Sequence, residues 1–510
     1  KEGIYMKRKE NQHKFNVLLI TTDEQRFDTL GCNGNKYIKT PNLDRLAKEG
    51  INFINHTCSS PICTPSRVSI LTGMYSRTHG AWHVGYKLDK KSKGIAKWLS
   101  KKGYTCGIFG KAHFEAELSN YAENLDHNKR YYGFTDFHIT EDNLVGEYLD
   151  WIKDEYPEYY QAALKNGNEQ TSSPYRDYSP LFHAKGYFKA VFTSELPENL
   201  HQTAWITEKT INFIEKKADQ QQPFFAWCSY VDPHHPFNPP EPCASMYNPS
   251  NLPIPIRKEG EDVGIPALYF RGKDIPDSEY QRMCAAYYGM ISHIDHHIGR
   301  ILKVLEEKNQ LENTIIIFTS DHGDYNGDHG LVRKGIFMFD NILKVPFLIR
   351  LPNQAQAGTT FTGATQHEDI IPTLFDYLGV SIPKEVQGES FISVLNKGIK
   401  GKSRKYSYFE YQNHAVGISK GSWKLIYYPQ KSWPFADKLQ KENTKDSFQI
   451  ISLPKLGNGF VLTNIEDDPM EYDNLIGKKE YVEIKNELKQ ALFNWLLNTP
   501  LYYPNRPYLW

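Results

Sequence analysis

Two stretches almost 300 residues apart share one design. "NVLLITTDEQ" (Asn16–Gln25) and "NTIIIFTSDHGD" (Asn313–Asp324) each run through unbroken apolar, mostly β-branched residues and then stop at acids. A strand with one wet face alternates apolar and polar; a strand that is apolar throughout needs cover on both faces, as parallel strands in α/β sheets have. "YTCGIFGKAHF" (104–114) and "PFFAWCSYVDPHHPF" (223–237) read as two more such strands running into polar residues. Helical patterns alternate with them in "TPNLDRLAKEG", "GIAKWLSKKG", "TAWITEKTINFIEKKA" and "YYGMISHIDHHIGRILKVLEEKN". The alternation predicts an α/β fold, a mostly parallel sheet flanked by helices. In such folds ligands bind beyond the carboxyl ends of the strands, where these acids stand.

At 510 residues the chain is long for one domain. We place a large α/β domain at 15–397, with an irregular, Tyr-rich insertion at about 115–200 lying over the site. "KGIKGKSRK" then links it to a smaller unit at 398–510, where short strands precede the terminal helix "YVEIKNELKQALFNWLLN". Lys and Arg number 60, as do Asp and Glu, so there is no basic footprint for nucleic acid or an anionic membrane. No apolar run approaches the roughly 18 residues of a membrane span. The seven cysteines include no CxxC pair, which argues against a zinc ribbon or a disulfide scaffold. The opening "KEGIYMKRKENQHKFN" lacks the apolar stretch of a signal peptide. It predicts a cytoplasmic protein, or a periplasmic one whose signal is removed before residue 1.

Chemistry concentrates in a few places. In "SSPICTPSRVSILTGMYSRTHG", Cys63 precedes what reads as the start of a helix, with Pro65 at its first position and Gly73 at its stop. A cysteine there meets the positive end of the helix dipole and Arg67 one turn on, a setting that lowers a thiol pKa and welcomes an anion. Asp23-Glu24 and Asp321-His322 follow the two founding strands and can converge, and clustered carboxylates call for a hard cation between them. Lys111 and His113 are two apart, so on an extended chain they face the same way. Prolines on either side of His234 and His235 hold those rings in a fixed irregular segment, and "GDHGLVRKGIFMFD" adds Lys334. The run His293, His296, His297 puts two histidines on one helix face with no third ligand evident, which reads as a packed or solvated face.

These motifs carry a resemblance. "CTPSR…LTG" at Cys63–Gly73 is similar to the type I sulfatase signature C-x-P-S-R-x-x-x-L-T-G, and "GKAH", "PHHP", "SDHGD", "GDHGL…K" and "WKLIYYP…DDPMEYDNL" follow in the family's order. The resemblance implies an alkaline-phosphatase-like fold with a smaller C-terminal antiparallel sheet plus helix. It implies that a maturation enzyme converts Cys63 to formylglycine before folding, and that the hydrated aldehyde attacks sulfur. Carried over residue by residue, Asp23, Asp321 and the modified Cys63 bind one divalent metal, with Glu24 and His322 completing the shell. Arg67 and Lys111 hold the diol and sulfate oxygens, and His113 is the base that releases sulfate. His234 and Lys334 bind sulfate and help protonate the leaving alcohol.

Glu24 stands where many members have Asp, and His322 where many have Asn or Gln. A histidine there resembles the phosphonate monoester and phosphodiester hydrolase branch. Ca²⁺ is the expected ion, with Mn²⁺ or Mg²⁺ as alternatives because nitrogen is a poor Ca²⁺ ligand. We read the chain as a sulfatase of a sulfated saccharide, since Tyr and Phe of the insertion, interleaved with Arg130, Arg176 and Lys185, suit sugar rings and anionic groups. The alternatives are a phosphonate monoester or phosphodiester hydrolase, and a non-catalytic carbohydrate-binding protein if Cys63 stays a thiol.

Overall fold

The computed structural model describes residues 14–115, 125–142, 144–167, 190–258, 275–411, 414–429 and 459–502. The first strands in chain order are β1 (Asn16–Thr22), β2 (Ile51–Phe53), β3 (His56–Thr57), β4 (Thr105–Gly110) and β5 (Asp136–Ile139). There follow β6 (Phe224–Ser229), β7 (Thr314–Ser320), β8 (Phe347–Arg350), β9 (Thr359–Phe361) and β10 (Thr365–Gln366). Eight of them form one sheet in the order β5-β4-β6-β1-β7-β8-β2-β9, while β3 and β10 pair separately. Within the sheet β8 alone runs against the others.

The unbroken apolar runs are divided between two cores. Val17, Leu19, Ile108, Phe225, Trp227, Ile315 and Ile317 face one side, with Ile95, Trp98 and Leu374 from the helices that cover it. Leu18, Ile20, Phe109, Ala226, Cys228, Ile316 and Phe318 face the other, under Leu43, Ile206, Ile294 and Ile298. Side chains alternate across a strand, so only a run apolar at every position supplies both cores. The register then sets the site. Thr22 is opposite Ser320, and Gly110 is opposite Ser229, so Asp23, Asp321 and Lys111 leave the sheet along one edge. Gly110 has φ +100°, and a Cβ there would lie 1.9 Å from the Ser229 carbonyl oxygen. Only glycine lets the two strands stay close enough for Lys111 N–H to donate to that oxygen at 2.8 Å.

The helix Cys63–Thr72 is buried along its whole length. It begins at Cys63 itself, with Ile62 as its N-cap, so Pro65 is the third residue and not the first. Proline is tolerated there because the first four N–H groups of a helix have no partner within it. Gly73 ends the helix at φ 67°, its N–H bonded to the Ser69 carbonyl.

The insertion is more ordered than its sequence suggested. Among its described residues, β5 joins the sheet edge beside β4, and helices span Glu147–Glu155 and Tyr160–Asn166. Tyr131, Tyr132, Phe134, Phe137 and Tyr148 are core residues, so these aromatics are packing and not a sugar platform. Arg130 lines a cavity with Lys93, Lys97 and Lys101, apart from the strand ends. Arg176 and Lys185 lie outside the described residues.

The C-terminal region forms an antiparallel sheet of β11 (Ser407–Tyr411), β12 (Ala415–Lys420), β13 (Trp423–Tyr427) and β14 (Phe460–Asn464). Leu488, Leu492 and Trp495 of the helix Val482–Asn498 cover one face, over Ile418, Leu425 and Leu462. The other face puts Phe409, Ile426 and Tyr428 against Tyr325, Ile336 and Phe337 of the loop that bears Lys334. Lys424 of β13 ties the two together, with its Nζ 2.7 Å from Asp340 Oδ1 and 2.6 Å from Glu471 Oε1. No described helix is long and apolar enough to cross a membrane.

Candidate functional site

The carboxyl ends of β4, β6, β1 and β7 and the N-terminus of the helix Cys63–Thr72 meet around the sulfur of Cys63. Lys334 Nζ is 2.6 Å from it, His322 Nε2 3.3 Å and Asp23 Oδ1 3.7 Å. His113 is also close enough to the sulfur to favour its thiolate. Asp23, Cys63, Asp321 and His322 offer four ligand atoms within 4.8 Å of one another, all buried. His322 Nδ1 is 2.8 Å from the Gly323 carbonyl oxygen. A carbonyl only accepts, so Nδ1 carries the proton and Nε2 turns its lone pair inward, the tautomer a metal ligand needs. Two carboxylates and an imidazole so arranged fit a divalent cation.

Glu24 stands next to this group but faces another way. Its Oε1 is 2.5 Å from Lys334 Nζ and 3.5 Å from His234 Nε2, and its Oε2 is 3.4 Å from His235 Nδ1. Glu24 and His113 both hold left-handed backbone, at φ 61° and 55°. Non-glycine residues keep that conformation only where their surroundings hold them in it.

Arg67 is the organising cation. Fully buried, it donates to Asp321 Oδ2 at 2.8 Å, Asp23 Oδ2 at 3.1 Å, Ser229 Oγ at 2.6 Å and the Lys111 carbonyl at 3.0 Å. Its planar fork is thus spent on protein groups, aligning the acids. Lys111 reaches further out, 2.6 Å from Asp23 Oδ2 and 3.2 Å from Asp142 Oδ2. His234 Nε2 also meets Asp142 Oδ2, at 3.3 Å, while its Nδ1 donates to the His235 carbonyl. Lys111 and His234 thus share Asp142, His234 and Lys334 share Glu24, and Lys334 touches Cys63, which groups the three basic side chains beside it.

Burial opposes every charge here, and the neighbours decide which survive. Against burial, Lys111 and Arg67 hold Asp23 far below the usual carboxylate range, and His234 and Lys334 do the same for Glu24. Asp142 and Asp23 keep Lys111 protonated despite its burial. Burial pushes His234 well below an ordinary imidazole and His235 to about 4. Cys63 runs contrary to the sequence-based expectation. Full burial, reinforced by the Asp23 charge, raises its thiol, and Lys111 and Lys334 do not reverse this.

Sequence reasoning missed Asp142 and Ser229 as parts of the site, and singled out His235 without giving it a role beside His234. Asp142 carried the same signal as Asp23, an acid just beyond a strand in "FHITED", but β5 was hidden in the insertion. Ser229 is a strand-end serine with no motif of its own.

A family model described as Sulfatase matches residues 15–380, and one described as N-sulphoglucosamine sulphohydrolase, C-terminal, matches residues 327–444. An arylsulfatase of Clostridium perfringens is 33% identical over 511 residues, covering 95% of this chain and 94% of its own. An N-acetylglucosamine-6-O-sulfatase of Bacteroides thetaiotaomicron is 27% identical over 557 residues, covering 95% and 86%. The solved phosphonate monoester hydrolase of Agrobacterium radiobacter superposes with a TM-score of 0.73 at 24% identity, covering 95% and 96% of the two chains.

Proposed function

Because the chain belongs to the sulfatase family and is a sulfuric ester hydrolase, we propose that it cleaves the sulfate ester of a sulfated carbohydrate, with Cys63 matured to formylglycine. The single observation behind the chemistry is the convergence of Asp23, His322 and Lys334 on the Cys63 sulfur. As a hydrated aldehyde, residue 63 would supply one oxygen as the nucleophile toward sulfur and a second hydroxyl whose deprotonation would release sulfate. Asp23, Asp321 and His322 would hold one divalent ion, which supplies Lewis-acid stabilisation of negative charge on oxygen. Calcium is our first choice and manganese the second, the imidazole favouring the latter. Glu24 completes the shell only by exchanging Lys334 for the ion.

The chain's own groups then divide the work. Arg67 aligns Asp23 and Asp321, and its charge helps to hold Asp23 ionised. Lys111 and Lys334 pair with the sulfate oxygens. His113, beside the side chain at 63, takes the proton whose loss releases sulfate. Burial biases His234 toward its neutral form, and an arriving sulfate adds the negative charge that favours its protonated form. His234 would thus take up a proton from solvent as substrate binds and pass it to the leaving alcohol.

The carbohydrate reading leans on the glucosamine-sulfate relative and on the second family match. His322, together with the fold shared with a phosphonate monoester hydrolase, favours a second activity on phosphonate monoesters or phosphodiesters. The test is turnover of glucosamine 6-sulfate and other sulfated sugars beside an aryl sulfate and an aryl phosphonate. Mass spectrometry of the peptide ending at Arg67 runs alongside. Cleavage of the aryl esters with no sulfated sugar turned over removes the carbohydrate assignment, and a fully active enzyme with an unmodified thiol removes formylglycine.

A further inference from the structure

His293 and His297 stand one turn apart on the helix Asp277–Glu307, both buried, and neither belongs to the centre around Cys63. Their sequence neighbourhood offers no third ligand. The fold brings one from 95 residues upstream, where Glu198 opens the short turn before the helix Gln202–Asp219. Glu198 Oε1 lies 2.9 Å from His293 Nε2 and 2.7 Å from His297 Nε2, and the two ring nitrogens are 3.1 Å apart.

Without an ion, Arg300 Nη1 donates to His297 Nδ1 at 3.3 Å, so the His297 proton sits on Nε2, shared between Glu198 Oε1 and His293 Nε2. An entering ion displaces that proton to Nδ1, and Arg300, which also pairs with Glu208, gives way. A cation at the centre of the triangle instead takes three lone pairs at once. Tetrahedral zinc, with bonds of about 2.0–2.1 Å, separates its ligand atoms by about 3.3 Å, a few tenths more than the edges seen here. Two histidines at i and i+4 on one helix face are a recurrent zinc-binding pair. Two imidazoles and one carboxylate suit zinc and its borderline neighbours, whereas calcium and magnesium prefer oxygen shells. The Glu198 side chain is about one-third exposed, which gives an ion a route in and leaves a solvent position for its fourth ligand.

We propose that Glu198, His293 and His297 form a second divalent metal site of zinc-like preference, separate from the centre around Cys63. Its role is to tie the start of one helix to the middle of another beneath the active-site loops. From that joint Thr203 Oγ1 donates to Asp232 Oδ2 at 2.5 Å, and the Asp232 carbonyl accepts from Asp23 N–H at 3.3 Å. His234 follows two residues later. These three ligands are positioning residues and touch no substrate.

The experiment strips the Cys63→Ala protein with chelator and titrates it with Co²⁺; this background removes the thiol from the first centre. One equivalent should give the intense visible absorption of a tetrahedral cobalt site. The band should persist when Asp321→Asn is added and vanish when His297→Gln is added. Zn²⁺ should raise the unfolding temperature of the Asp321→Asn protein, and that rise should disappear when His297→Gln is added to it. Absence of the band in the Cys63→Ala protein overturns the proposal. So does its loss with Asp321→Asn and retention with His297→Gln. Should His297→Gln fail to fold, titration of the other two proteins still decides.

Discussion

Replacing Lys424 by Met removes the cation that joins the C-terminal sheet to the loop bearing Lys334. Lys424 and Glu471 are both almost fully buried, and Lys424 touches Asp340 and Glu471 at 2.7 and 2.6 Å. Removing one partner of a buried pair costs about 3–5 kcal/mol, because the other charge is left without compensation. Glu471 would keep two donors, the Asp340 N–H at 2.8 Å and the Thr463 hydroxyl at 3.3 Å, which argues for the lower end, about 3 kcal/mol. Urea denaturation followed by tryptophan fluorescence measures this, and a rise in KM with a smaller change in kcat reports the loosened Lys334 loop. If stranded charge is the cause, adding Glu471→Gln should restore more than about 1 kcal/mol, a coupling of the size that contacting residues show. The pH dependence has a definite sign. Burial already raises the Glu471 carboxyl above its ordinary value, and loss of Lys424 raises it further. A carboxyl raised in the folded state destabilises above its unfolded pKa, and that penalty lifts as pH falls toward it. The gap between variant and parent should therefore narrow from pH 7 to pH 5. A gap that is constant over that range, with no rescue by Glu471→Gln, would refute the charge argument and leave lost packing as the cause.

Three further outcomes are expected. Cys63→Ala should abolish turnover of an aryl sulfate without unfolding the protein, and chelation should do the same to the parent, with the restoring ion identified by comparing Ca²⁺ and Mn²⁺ in an activity assay. His113→Ala should leave sulfate attached to the protein, visible by intact mass, whereas His234→Ala should slow release of alcohol most for esters of poor leaving groups. Gly110→Ala should lower stability by at least about 1–3 kcal/mol in urea melts, since its backbone is left-handed and the new Cβ overlaps the Ser229 carbonyl.

The central strands were readable because burial on both faces leaves a dense signal. Every position of Asn16–Thr22 and Thr314–Ser320 is buried, and the acids stand just past the last strand residue. Asp23, Lys111 and Asp321 were readable for the same reason, each standing directly past a strand end, and Cys63 and Arg67 lie at the start of a helix, whereas His234 and Lys334 lie on loops and were readable only through their motifs. What escaped was whatever depends on distant partners. β5 has only four residues, alternating half-buried and buried, so its pattern did not rise above the insertion around it, and Asp142 went with it. The raised thiol of Cys63 depends on complete burial and on Asp23 across the sheet, neither of which a local motif reveals. The pairing of Glu198 with His293 and His297 depends on how two helices pack, and Glu198 by itself has no signature.

The complete burial of the helix Cys63–Thr72 also sets a clock. In the folded chain no residue of that helix is open to a second protein, so an enzyme that alters Cys63 must act before the sheet closes. Closure needs β7, which delivers Asp321, and 258 residues separate positions 63 and 321 (321 − 63). At about 5–20 residues per second, synthesis of that stretch takes roughly 13–50 s. The interval between exposure of Cys63 and arrival of its last neighbour is thus comparable to a slow enzymatic turnover. Under the proposed maturation of Cys63, faster translation or premature collapse would yield chains that are folded, stable and permanently inert, so the active fraction of a preparation should depend on how quickly it was made.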